Sequence, residues 1–266
     1  MRRFPFWAWF WVALGGLYFF VPLYGTLDFS LRAVKDQFTL AAYERVLIDP
    51  RFANTFSFSF QMALWTIAAS IVLVVPTAYW VHLRLPRLKP VIEFITLLPF
   101  VVPAIVLVFG MARVYGRPPL LMTSEPVTAT ILLVGGYVTL ALPYMYRAVD
   151  TGLRAMDVRT LTEAAQSLGA GWPTILLRVI LPNLRVAVLS GAFLTFTTVI
   201  GEFTFATYLA PPGAAFGPYM SLLGQTRAYE PAALAIMSLI LTWGSVGLIQ
   251  LIGRGAPRQG QLAGAR

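Results

Sequence analysis

A chain of 266 residues that is 58% hydrophobic and only 12% charged carries about half the charge of an ordinary soluble domain, which excludes a water-exposed globular fold and directs the reading to the bilayer. The lack of cysteine and the single histidine exclude a disulfide framework, a thiolate metal centre and a histidine cluster. The net charge of +9 is scattered between apolar runs without a basic stripe, so it reads as membrane topology and not as a nucleic-acid surface.

Apolar runs near twenty residues predict membrane helices, because a backbone inside hydrocarbon must satisfy its own hydrogen bonds. Six are expected. The first runs from Pro5 to Leu27 behind Arg2 and Arg3. It is too long for a signal peptide and ends in no small-residue cleavage pattern, so it reads as an uncleaved anchor. Trp7, Trp9, Trp11, Tyr18 and Tyr24 are its interfacial side chains. The 28–55 connection holds Asp28, Asp36, Glu44 and Asp49. The second span runs from Phe56 to Leu83, with His82 near its end in an interfacial or packing role. The third runs from Ile92 to Met111, the fourth from Val127 to Tyr146, the fifth from Leu184 to Leu209 and the sixth from Pro231 to Ile252. Pro76, Pro99, Pro103 and Pro143 fall inside spans and predict kinks. The fold class is therefore all-α integral membrane, as one transmembrane domain over residues 1–266.

Between the fourth and fifth spans, residues 150–182 are polar enough to leave the membrane. Thr160-Leu161-Thr162-Glu163 reads as a capping box in which the Thr160 hydroxyl accepts from the Glu163 N–H. Ala164 and Ala165 are strong helix formers. Leu161, Ala164, Ala165 and Leu168 recur at helical spacing and predict one narrow apolar face. Gly169 suits the left-handed position that ends a helix. Pro173 suits the first turn of a second helix from Thr174 to Ile180, and Pro182 is expected to stop it.

Glu202 is the one acidic residue expected well inside a span, where a charge costs roughly 2.5–3.5 kcal/mol on insertion scales. Such a carboxylate either lines a pathway and attracts a cation or makes a structural hydrogen bond, with Thr198 and Tyr208 as candidate partners. The 210–230 segment, with Pro211-Pro212-Gly213 and Phe216-Gly217-Pro218, is too irregular for a span and long for a plain link.

Charge bias orients the bundle. With a cytoplasmic N-terminus, thirteen of the twenty Lys and Arg face the cytoplasm, among them Arg2, Arg3, Arg147, Arg154, Arg258 and Arg266. Both termini and the 150–182 loop are then cytoplasmic. Neither Lys35 nor Lys89 follows a glycine, so the chain has no phosphate-cradling loop of the usual kind. No paired carboxylates or triad emerge, and no catalytic role is expected.

The run Glu163-Ala164-Ala165, then Gly169, then Leu181-Pro182, placed between the fourth and fifth spans, resembles the coupling loop of permease subunits in binding-protein-dependent ABC importers. Leu98-Pro99-Phe100-Val101-Val102-Pro103, Asp49-Pro50-Arg51-Phe52 and Gly201-Glu202-Phe203 are similar to the spermidine/putrescine branch. The resemblance implies a type I importer permease fold and half of a translocation pore in a bacterial cytoplasmic membrane. It implies ATPase contact through Glu163, Ala164, Ala165, Gly169 and Pro182, and a substrate pathway past Glu202 and Tyr208. The implied partners are an ATPase dimer that holds ATP and magnesium, a second permease and a periplasmic or lipid-anchored binding protein, while this chain holds no cofactor. It also gives the 210–230 segment a part in the outer gate and the binding-protein platform. Polyamine is the implied cargo. The alternatives are iron, sulfate, thiamine or phosphonate on the same machinery, or an ion-coupled secondary transporter.

Overall fold

The structure is a computed structural model that describes residues 6–35 and 37–254. Arg2, Arg3, Pro5, Asp36, Arg258 and Arg266, which enter the reading of the first span and the charge bias, lie outside the described residues. Those described form helices and turns without a named strand. In chain order the helices are α1 (Phe6–Leu31), α2 (Ala41–Ile48), α3 (Pro50–Leu83), α4 (Lys89–Val101), α5 (Ala104–Tyr115), α6 (Pro126–Arg154) and α7 (Val158–Ser167). There follow α8 (Trp172–Asn183), α9 (Arg185–Ile200), α10 (Thr204–Leu209), α11 (Phe216–Thr226) and α12 (Glu230–Arg254).

Three of these are long and apolar enough to cross a membrane unbroken: the Trp9–Leu31 part of α1, all of α3 and all of α6. The number rises to five if each of two bent pairs makes one crossing, and α12 adds a shorter apolar stretch, Glu230–Gly244. The expected continuous third span is broken. Helices α4 and α5 meet at 104°. A proline ring disfavours helical dihedrals at the residue before it, and Val102 accordingly takes an extended conformation (φ −87°, ψ 123°) ahead of Pro103. By contrast Pro76, Pro99 and Pro143 are absorbed within α3, α4 and α6. The expected fifth span also divides. Helix α9 ends at Ile200, and Gly201 to Phe203 separate it from α10. Nor is the 210–230 segment wholly irregular, since it contains the eleven-residue α11.

Two compact units make up the described chain. One comprises the residues up to Ala53 together with Tyr219–Trp243; the other comprises Asn54–Pro218 and the chain from Gly244. In the first, Ser30 and Tyr43 share a 2.7 Å hydrogen bond, and the Phe29 and Tyr229 rings stack at 4.8 Å. Buried Glu230 accepts from Arg45 at 3.3 Å, with Arg227 at 3.6 Å. The expected belt side chains Trp7, Trp9, Trp11, Tyr18 and Tyr24 are exposed along α1.

The second unit holds the main core. Val74, Val75, Ala78 and Tyr79 of α3 meet Met145, Tyr146, Val149 and Leu153 of α6. The same cluster takes in Val158 and Ala165 of α7, Ile175, Leu176 and Ile180 of α8, and Leu184, Val188 and Ala192 beyond. Small residues let helices approach closely where lipid gives no hydrophobic drive. At Gly191 an added Cβ would meet Ala148 at 3.2 Å, and at Gly152 it would meet Leu184 at 2.7 Å. At Gly136 it would strike the Phe205 ring of α10.

That contact yields a stability prediction. Gly136→Leu is expected to destabilise the detergent-purified protein by about 1–3 kcal/mol through overpacking. Adding Phe205→Ala recovers part of the loss, because the two positions share one space. Thermal unfolding of the single and double variants measures both.

Candidate docking loop and pathway residues

Helix α7 starts three residues earlier than the capping box predicts. Asp157 is the N-cap: its carboxylate accepts from the Thr160 N–H at 3.1 Å and the Thr160 hydroxyl at 2.7 Å. The Thr160 hydroxyl is therefore engaged with the cap and does not act as one. Glu163 pairs instead with Arg159, one turn back, at 2.8 Å. Both side chains are exposed, and such surface pairs contribute little. The signal for the true cap was in the sequence, since aspartate three residues before threonine at a helix start is a favoured arrangement.

The expected apolar face divides in two. Val158, Thr162 and Ala165 turn inward and are buried, whereas Ala164 and Leu168 lie on the outside. Leu168 is 89% exposed. Residues four apart share a helix face, so Ala164 and Leu168 form a small apolar strip beside Glu163. Gly169 sits at φ +78°, the left-handed conformation expected of it, with open space around its Cα.

The second helix starts at Trp172 with Pro173 in its first turn, as expected. It then widens into a π-helix over Ile175–Ile180 and continues past Pro182 to Asn183. Pro182 does not stop it. Proline lacks the N–H that an α-helical bond to residue 178 needs, and a local widening of the helix is one way to accommodate that loss. The actual turn comes at Leu184, where α8 and α9 meet at 77°.

Sequence reading missed the ionic cluster behind this loop. Asp150, 6% exposed in the last turns of α6, accepts from Arg154 Nε at 2.7 Å and from His82 Nε2 at 2.6 Å, and lies 3.0 Å from Lys89 Nζ. Arg154 also reaches Glu93 at 3.0 Å. His82 is thus an ion-cluster member that ties the end of α3 to α6. The Asp150–Arg154 spacing of four residues was the available hint. A cavity of about 490 Å³ lies alongside, lined by Glu93, Tyr146, Arg147 and Asp150 among others. A groove of about 800 Å³ continues past Arg147 and Tyr144 to Asn183 and Ser190.

Glu202 is partly buried at the break between α9 and α10. Its carboxylate accepts from the backbone N–H groups of Thr204 at 2.8 Å, Phe205 at 3.1 Å and Ala206 at 3.0 Å. The partners are the first amides of its own next helix. Thr198 donates to Leu194 instead, and the Tyr208 ring packs 4.8 Å from Phe109. Tyr208 is half-exposed and lines a cavity of about 230 Å³ with Thr123, Glu125 and Pro211. Glu202 and Tyr208 are therefore close in sequence, but no hydrogen bond joins them.

The chain matches the family described as "Binding-protein-dependent transport system inner membrane component" over residues 86–254, more than half of its length, and belongs to that family. It is similar to the spermidine/putrescine transport system permease protein PotB of Escherichia coli, at 28% identity over 188 residues, 64% of this chain and 65% of that one. A probable molybdenum ABC transporter permease protein of Haloferax volcanii is 32% identical over 188 residues, 67% of each. The chain thus spans a little less than two thirds of PotB. Among solved structures, a bacterial ABC transporter that imports alginate shares the fold over 97% of both chains, with a TM-score of 0.74 at 12% identity. The protein is accordingly a multi-pass inner-membrane component of a binding-protein-dependent transport system, built from helices and turns over its described residues.

Two predictions follow from the caps. The Thr160 hydroxyl and N–H hold the Asp157 carboxyl below its ordinary value of 3.8. A depressed carboxyl contributes stability that is fully present above that ordinary value and is lost as pH falls through the lowered one. The protection of amides at the start of α7, taken relative to their intrinsic exchange rate at each pH, is therefore expected to fall on acidification below about pH 4. Asp157→Ala lowers that protection at neutral pH and abolishes its acid dependence. At the break, Glu202→Leu removes all three acceptor contacts and is expected to cost about 1–2 kcal/mol of stability. Glu202→Gln keeps one acceptor oxygen and unfolds closer to the parent protein in a thermal melt.

Proposed function

We propose that this chain forms half of the pore of an ATP-driven importer and docks a separate ATPase through residues 150–182. The observation that carries the reading is the outer face of α7. Glu163, Ala164 and a wholly exposed Leu168 sit on a helix fixed by an aspartate cap at one end and by a left-handed glycine at the other. The small side chain of Ala164 beside the exposed Leu168 leaves room for a partner surface to approach closely. Ala165, buried beneath, and Pro182, inside α8, hold the shape of the docking surface. With this loop and both termini in the cytoplasm, the surface faces the compartment that supplies ATP. ATP and magnesium then belong to the ATPase, and this chain has no catalytic role.

In this reading a second permease completes the pore, and a binding protein delivers the solute from the other side. The alginate transporter has been solved with a periplasmic binding protein in complex, which supports that assembly here. Polyamine is the proposed cargo, supported by the likeness to PotB and to PotI, a putrescine transport system permease protein of E. coli. Glu202 and Tyr208 serve the pathway, Glu202 by holding the break that presents Tyr208 to the adjoining cavity. The molybdenum-named relative supports a second reading, in which the same machine carries an oxyanion.

The test is purification of the tagged chain from its native membrane in mild detergent. A P-loop ATPase, a second permease and a binding protein are expected to co-purify, and vesicles holding the complex are expected to take up labelled spermidine. Gly169→Asp is expected to lower ATPase recovery. Gly169→Ala, which adds only the left-handed penalty of roughly 1–2 kcal/mol, has a smaller effect. Isolation of the chain alone, with crosslinking included, would sink the reading, and uptake of molybdate in place of spermidine would move the cargo to the second one.

A further inference from the structure

Helices α6 and α9 are joined to the docking loop by the chain itself, through the Ala155–Asp157 turn on one side and the 77° bend at Leu184 on the other. Helix α3 has no such covalent link, yet it meets the loop through a buried hydrogen bond and a pair of stacked rings. The Tyr79 hydroxyl and the Thr162 Oγ1 lie 3.0 Å apart, both buried. Thr162 already donates its one hydroxyl proton to the Val158 carbonyl at 2.7 Å, so Tyr79 is the donor in this pair. One residue on, Trp80 stacks on Trp172 with centroids 5.6 Å apart and planes 22° from parallel. Tyr79 meets the Trp172 ring edge-on at 6.5 Å, and the Arg84 guanidinium lies 5.1 Å over the Trp80 ring. One contact holds α7 and the other holds α8, so α3 grips both halves of the loop across the Gly169 corner. Packed interfaces shift between discrete arrangements and do not deform smoothly, so close contacts of this kind pass displacement from one element to the next.

We propose that Tyr79, Trp80, Thr162 and Trp172 form a rigid aromatic seam that carries movement of the docking loop into α3, which makes Trp80 and Trp172 positioning residues of the transport cycle. The proposal rests on the reading of this loop as the ATPase-docking element. It goes beyond that reading by naming the route by which a helix remote in sequence follows the loop.

The test uses the complete importer complex and leaves the seam intact. Spin labels are placed on the exposed positions Leu85→Cys, just beyond α3, and Thr174→Cys, in α8, of a chain that has no cysteine of its own. Their separation is measured without nucleotide and with ATP trapped by vanadate. A rigid seam keeps the separation constant to within about 2 Å, whereas a larger change means that loop and helix move independently and overturns the proposal. A second arm compares Trp172→Ala with Trp172→Phe. The alanine variant is expected to retain ATPase recovery while spermidine uptake per ATP hydrolysed falls at least about fivefold, and phenylalanine is expected to restore most of it. Undiminished uptake per ATP in Trp172→Ala overturns the proposal. So does loss of ATPase recovery in that variant, which would make Trp172 a docking contact. Failure of the unsubstituted chain to recover an ATPase is a separate result and refutes the docking reading itself.

Discussion

A backbone inside hydrocarbon has no water to turn to, so each departure from helix must be supplied with partners by the chain. This constraint decides where the molecule breaks and how. At Val102–Pro103 the proline itself lowers the demand, because it has no N–H to leave unsatisfied. At Gly201–Phe203 the demand is met by one carboxylate, as Glu202 accepts from three successive amides. Within the long helices the same rule appears as hydroxyls folded back on their own turn: Thr66 donates to the Met62 carbonyl and Thr77 to that of Leu73.

The two breaks also divide the second unit into parts of different character. On one side, the ends of α3 and α6, the start of α4 and the loop helices are joined by a single apolar cluster and by the Asp150 ion group. Asp150 sits among three cationic or potentially cationic partners, so its burial is compensated, and removal of one partner would leave charge exposed to a poor solvent. On the other side, α5 and α10, the outer pieces of the two broken spans, pack on each other through Phe109 and Tyr208. Phe205 seats α10 against the glycine notch at position 136. The two short helices are thus packed on each other and on α6, apart from the cluster that joins the loop helices.

Hydropathy made the class of protein and the long helices legible, because a twenty-residue apolar run has few alternatives. It did not make the breaks legible. Hydropathy averages over the two or three residues that decide continuity at Val102–Pro103 and Gly201–Phe203; the kink predicted at Pro103 is there, as a 104° break and not a bend within one helix. The docking loop was legible in outline: Gly169 and Pro173 have local conformational requirements that the sequence states directly. Its inward face was not, because Leu168 looks like a core residue until α7 is packed, and Thr162 looks like a surface one. Asp150 and His82 were hidden for a different reason. They stand 68 residues apart, and a long-range pair has no periodic signature in a single sequence.

The placement of Glu202 bears on how an importer of this kind would choose its cargo. A carboxylate aimed at a passing ammonium needs its lone pairs free, and this one is turned toward amides. Asp150 is surrounded by its own cations, and Arg147, which lines both the cavity and the groove beside it, has the wrong sign to attract a polyamine. Glu202 and Asp150 are thus both engaged by groups of this chain, while Glu93 shares its cavity with Arg147. In the proposed assembly, selection falls to the binding protein and to the facing permease, while this chain contributes a path whose shape is set by where its helices break.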